Sequence, residues 1–213
     1  MNLTNNRQAI LDQITKDVKE HQCSLRAGCI QSVPGEGSPK SALVFVGEAP
    51  GRYEDAQGRP FVGPAGKLLD KLLLSIGFKR EDVYITNIVK CRPPDNRDPK
   101  PDEVAEHADF LRRELELIKP KLIVLLGRHA LAKFLPDEKI SNCHGKAKRK
   151  ANQVYFALYH PAAALHNPNF LQILEDDIKK IPILLKKIDE LPLQAKTDKQ
   201  TKPPEKIVQE TLL

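Results

Sequence analysis

Four short runs of apolar residues constrain the fold of this 213-residue chain more than any other feature: Leu43-Val44-Phe45-Val46, Val83 to Val89, Leu122 to Leu126 and Val154 to Leu158. A strand with one wet face alternates apolar and polar residues. A strand buried on both faces, as inside a parallel sheet, reads as a continuous hydrophobic run. Between these runs lie patterns of helical period. Ala9, Ile10, Ile14 and Val18 predict an amphipathic helix over 5–21. Leu68, Leu69, Leu72, Leu73 and Ile76 predict another over 64–76, stopped by Gly77. Pro101 opens a third, with Val104, Ala108, Leu111, Leu115 and Ile118 on its buried face and Pro120 at its end. A short helix is expected over 128–135 and a last one over 171–188, with Ile173, Ile178, Ile181 and Leu185 inward and Pro182 placed to kink it. Strands alternating with helices argue a three-layer α/β/α fold around a central four-stranded parallel sheet.

The length suits one domain, 1–190, followed by a Lys-, Thr-, Gln- and Pro-rich tail, 191–213. No stretch of 18 apolar residues occurs, and the opening MNLTNNRQAILDQ lacks the basic-then-apolar order of a signal peptide, so a cytoplasmic protein is expected. The net charge of +6 suits a polyanionic partner as well as it suits a merely solvated basic surface. Cys23, Cys29, Cys91 and Cys143 are too few and too dispersed for a secreted disulfide framework. Metal ligands or plain buried thiols remain.

Three strands finish in polar residues unsuited to a core: Glu48 after the first, Asn87 and Lys90 on the second, His160 after the fourth. Ligands of open α/β sheets bind beyond the carboxyl ends of the strands. A carboxylate, an amide and an imidazole would there share one crevice, with Phe61 from the Gly/Pro-rich segment 47–66 beside them. The alternative is that each is a turn residue satisfied locally.

The segments GEAPG followed by ED, then GRPFVGPAG, TNIVKCRPP and HPA, in that order, resemble the family 4 uracil-DNA glycosylases over about Cys23 to Asn167. The resemblance implies a monofunctional enzyme that hydrolyses uracil from DNA to leave an abasic site. Relatives that trap DNA covalently carry an extra basic loop with a nucleophilic histidine after the second strand; here Cys91 leads directly into RPPDNRDPKPDE. The rival reading is a catalytically silent DNA-binding paralogue.

A base in a duplex must be flipped out and read on its Watson–Crick edge. Phe61 would stack on it, and the Asn87 amide, both donor and acceptor, would pair with O4 and N3–H of uracil. By the resemblance, Glu54 would stand near C5 and reject the thymine methyl, and the backbone N–H of Ala49 would face O2. His160 is the candidate donor to O2, where negative charge gathers, and Glu48 the candidate to hold or deprotonate the attacking water. Leu165, flanked by His166 and Asn167, would wedge into the base stack. Lys90, Arg92, Arg97 and the KAKRK run at 146–150 are candidates for phosphates, the last equally for a solvated hairpin edge.

The family resemblance further implies a four-iron four-sulfur cluster on four cysteines. In this chain Glu20 takes the first position, Cys23 the second, Cys91 the third and His107 the fourth. Histidine can replace cysteine on cluster iron, with Cys29 standing in for the missing thiol. The set Cys23, Cys29, Cys91 and His107 would equally suit zinc, and an empty, packed site is the third option. Finally, Gln209, Leu212 and Leu213 resemble the terminal peptide by which repair proteins dock on a sliding clamp. A monomer is expected otherwise.

Overall fold

A computed structural model describes residues 3–190. The expected tail from 191, with Gln209, Leu212 and Leu213, lies outside the described residues. The strands are β1 Glu36–Gly37, β2 Leu43–Gly47, β3 Tyr84–Asn87, β4 Leu122–Leu126, β5 Ala147–Lys150 and β6 Gln153–Leu158. They form one sheet in the order β1-β3-β2-β4-β6-β5. The four strands read from the apolar runs, β3, β2, β4 and β6, are parallel and central.

The sheet is larger than expected by two antiparallel edge strands, β1 and β5. Neither has a hydrophobic signature: β1 is two residues long, and β5 is most of the KAKRK run, an exposed lysine-rich edge of the kind that discourages further pairing.

The helices are α1 Leu3–Glu20, α2 Arg52–Gln57, α3 Pro64–Ser75, α4 Pro101–Glu106, α5 Ala108–Ile118, α6 Gly127–Phe134, α7 Ile140–Cys143, α8 Pro161–Ala164, α9 Pro168–Ile178 and α10 Ile181–Glu190. Alternate residues of β2 serve the two layers. Leu43 and Phe45 pack with Leu69, Leu72 and Leu73 of α3, while Val44 and Val46 pack with Leu111 and Ile118 of α5 and Leu131 of α6. The stripe of α1 is Leu11, Ile14 and Val18; Ile10, expected inward, is 43% exposed. The helix opened by Pro101 breaks at His107, which caps both α4 and α5. The last predicted helix is two helices, and Pro182 stands in the first turn of α10, where a missing N–H costs nothing. Among the described residues no helix is long and apolar enough to cross a membrane.

Lys90 corrects an expectation. Its side chain is fully buried, with Nζ donating to Glu114 Oε2 at 2.8 Å and to Thr86 Oγ1, so it does not reach a phosphate. Glu114 Oε2 also takes the Thr86 hydroxyl and Oε1 the Gly35 N–H, so this carboxylate ties α5 to the segment before β1 and to β3. Removing one member of such a pair strands a charge, whereas removing both does not. Glu114→Leu is therefore expected to cost about 3–5 kcal/mol by urea denaturation, and Lys90→Met in the same chain to recover most of it. A single-variant cost below about 1 kcal/mol would mean the pair behaves as a surface one.

Candidate active site

The parallel register carries β2 and β3 to a common end, where Gly47 pairs with Asn87. The chains stay paired beyond it: Ile88 N–H donates to the Gly47 carbonyl and Val89 N–H to that of Glu48, each at 3.0 Å. A side chain at position 47 would collide through its Cβ with Asn87 Oδ1 and the Phe61 ring. Glycine is what lets these two groups meet. After β4 the backbone turns through Gly127 at φ 86°, a left-handed conformation that favours glycine, and a Cβ there would stand 3.0 Å from His160 Cβ. His160 follows β6. The carboxyl ends of all four central strands thus converge.

They surround a cavity of about 300 Å³ lined by Glu48, Ala49, Glu54, Phe61, Asn87 and His160, together with Pro50, Gly51, Ala65, Pro93, Asn96, Arg97 and Ala162. Every catalytic or base-reading residue expected from the sequence is in this lining. Asn87 is 2% exposed, and its Oδ1 is buried without a hydrogen-bond partner among the described residues. A buried acceptor left open costs stability and marks a place where a ligand completes the bond. The Phe61 and His160 rings lie 5.6 Å apart between centroids.

The electrostatics assign a protonation state. His160 Nδ1 accepts the Ala162 N–H at 3.1 Å, so the neutral ring carries its proton on Nε2 and is a donor there. Burial holds the imidazolium form down, with a pKa of about 4, against the pull of the Glu54 carboxylate. Glu48 shifts the other way: burial raises its carboxyl, which His129 opposes and Asp98 reinforces. His129 Nε2 lies 3.8 Å from Glu48 Oε2 and 3.2 Å from Asp98 Oδ1. Sequence alone points to neither His129 nor Asp98, because neither belongs to a strand end that reads as unusual.

The loop carrying Phe61 is pinned from two sides. Phe61 sits at φ 52°, rare for a bulky residue. Arg80 donates to the carbonyls of Pro60 and Phe61 and to Asp70 Oδ1. Glu54 Oε1 accepts the N–H groups of Val62 and Gly63, each at 2.8 Å, and Oε2 that of Gly51. The Glu54 carboxylate is thus engaged with backbone while its residue lines the cavity. Arg80 likewise carries no local signal, since its carbonyl partners lie about twenty positions upstream.

Of the expected DNA contacts, Leu165 is 44% exposed in the turn between α8 and α9, with His166 exposed beside it. The Asn167 side chain caps α9 by accepting the Asn169 N–H. Arg92 bonds to Asn96, and Arg97 makes two bonds to the Glu103 carboxylate.

A separate group lies where α1 ends and α4 meets α5. His21, Cys23 and His107 bring ligand atoms within 4.8 Å of one another, and Cys91 Sγ is 3.2 Å from Cys23 Sγ. Cys29 Sγ has its own contacts with Arg26. A four-iron cluster places one ligand on each iron, so its sulfur ligands stand apart around it. Only two of the four family positions hold cysteine here, and those two sulfurs are in contact, so the residues do not fit a cluster.

The family model for the uracil DNA glycosylase superfamily matches residues 34–179. The type-4 uracil-DNA glycosylase of Archaeoglobus fulgidus is 50% identical over 182 residues, covering 80% of this chain and 91% of its own. That of Sulfurisphaera tokodaii is 47% identical over 183 residues, covering 80% and 83%. The type-5 uracil-DNA glycosylase of Pyrobaculum aerophilum is less similar, 34% over 148 residues and 61% of this chain. With a family match over most of the fold, and half of the aligned residues shared with a type-4 relative across nearly that relative's whole length, this chain belongs to the uracil-DNA glycosylase superfamily, in its type-4 branch.

Proposed function

We propose that this chain is a monofunctional uracil-DNA glycosylase, which breaks the bond between uracil and deoxyribose and leaves an abasic site. The observation that carries this reading is the meeting of an aromatic face, an open amide and an imidazole N–H around one cavity suited to a single flat ring. The two type-4 uracil-DNA glycosylases match this chain over 91% and 83% of their own length.

Uracil presents an acceptor at O4 and a donor at N3, and the Asn87 amide supplies the complement to both. Cytosine presents the reverse pattern and would leave buried polar groups opposed. Phe61 offers its face for stacking, and Arg80 and Glu54 hold the backbone that carries it. Glu54 and Ala49 line the same cavity, and they are assigned here to C5 and O2 of the base.

As the glycosidic bond breaks, its electron pair leaves with uracil and positive charge develops at C1′. A neutral His160 donating from Nε2 stabilises the charge on O2 without first giving up a proton. Glu48, ionised, holds the water whose oxygen bonds to C1′ and favours the cationic sugar. The water proton ends on Glu48 and then on solvent or the departing base.

Leu165 and His166, exposed in the turn between α8 and α9, are assigned here as the wedge that would fill the gap left by the flipped base. The Gln209, Leu212 and Leu213 peptide, on its sequence, serves as a clamp-docking segment.

Incubation with a uracil-containing oligonucleotide followed by alkali should break the strand at uracil. An intact strand would refute the assignment. His160→Ala should lower kcat about a hundredfold, the cost of one oxyanion donor of about 3 kcal/mol. The pH profile separates the two ionisable groups. Since His160 titrates near 4 and Glu48 above its ordinary 4.5, activity should fall as pH drops through the Glu48 pKa, with His160 still neutral. Glu48→Gln should therefore be slower and lose that acid limb, whereas His160→Ala should be slower and keep it. An acid limb that follows His160 and survives in Glu48→Gln would contradict these roles.

A further inference from the structure

We infer that His21, Cys23, Cys91 and His107 form a site for one tetrahedral zinc ion, in place of a cluster. The two histidines carry the argument. His107 is fully buried, and its Nδ1 lies 2.7 Å from the Glu103 carbonyl, an acceptor only. The ring proton is therefore on Nδ1, and Nε2 presents a lone pair to the protein interior. Among the described residues that nitrogen has no hydrogen-bond partner, and neither has the buried Nε2 of His21. Two orphaned buried nitrogens, on rings 5.3 Å apart between centroids, stand with the Cys23 thiol, whose sulfur touches that of Cys91.

This is the outer-shell pattern of a metal-binding histidine, with the far ring nitrogen fixed by a carbonyl. Two nitrogens and two sulfurs in a compact group suit tetrahedral zinc, which also needs no redox partner. Zinc bonds of about 2.0–2.3 Å put tetrahedral ligand atoms about 3.3–3.8 Å apart. The His21, Cys23 and His107 atoms stand within 4.8 Å of one another, and the Cys91 sulfur, 3.2 Å from that of Cys23 and 3.2 Å from Ser32 Oγ, closes the set by turning from the Ser32 hydroxyl toward the two nitrogens.

Position supports the same set. His21 and Cys23 follow the end of α1, Cys91 follows β3, and His107 interrupts the helix between α4 and α5. One ion would staple three elements distant in sequence, with Glu106 already bonding the Ser24 backbone and hydroxyl across the same junction. Cys29, whose sulfur meets Arg26, is left out.

Elemental analysis of the purified full chain should give one zinc per molecule, with no absorbance near 400 nm. Stripping with a chelator and titrating with zinc should restore one equivalent. His21→Ala should weaken zinc affinity at least a hundredfold, since loss of outer-shell partners alone costs about 10–100-fold; Cys29→Ala should leave it unchanged. Four irons with the cluster chromophore, a metal-free chain that takes up no zinc, or zinc lost in Cys29→Ala but kept in His21→Ala would each overturn the assignment.

Discussion

The site rests on the absence of a side chain. Where β2 ends, any Cβ on residue 47 would occupy the space in which Asn87 and Phe61 approach each other. The parallel register sets Gly47 against Asn87, so the close approach follows from strand pairing already fixed by the core. Leu43 and Phe45 anchor that register on one face and Val44 and Val46 on the other, leaving β2 no freedom to slip by a residue. Packing far from the cavity thereby decides which polar group faces it.

What the sheet does not hold, hydrogen bonds do. The segment 60–63 offers two carbonyls to Arg80 and two N–H groups to Glu54, so its conformation is determined from both sides. Such over-determination is what keeps Phe61 at a positive φ. The same economy governs the charges. Burial keeps His160, which lines the cavity, neutral, and the Ala162 N–H selects the tautomer with its proton on Nε2. Glu48, half-buried against His129 and Asp98, is shifted by that burial toward its protonated form.

The central strands are legible in the sequence because burial on both faces leaves an unbroken apolar signature, and Asn87 and His160 are legible because polar residues at such strand ends are out of place. Other features depend on long-range partners that no local pattern announces. Arg80 looks like any basic residue beside a turn until its clamp on Pro60 and Phe61 is seen. Lys90 looks like a phosphate contact until the chain buries it on Glu114. The edge strand Ala147–Lys150 has no hydrophobic alternation, and the break at His107 follows from side-chain placement where helix propensity alone runs on. His21 escapes a count of cysteines, since its nitrogen joins the group only through the fold.

The central claim is that an amide on β3 reads the base by matching one donor and one acceptor. The most direct measurement compares excision of uracil and of cytosine, at the same place in otherwise identical oligonucleotides, by the wild type and by Asn87→Asp. The wild type is expected to remove uracil alone. The variant is expected to lose uracil excision by two orders of magnitude or more, roughly the penalty for leaving buried polar groups mismatched, while discrimination against cytosine narrows. Undiminished uracil excision by Asn87→Asp, with discrimination intact, would contradict that claim.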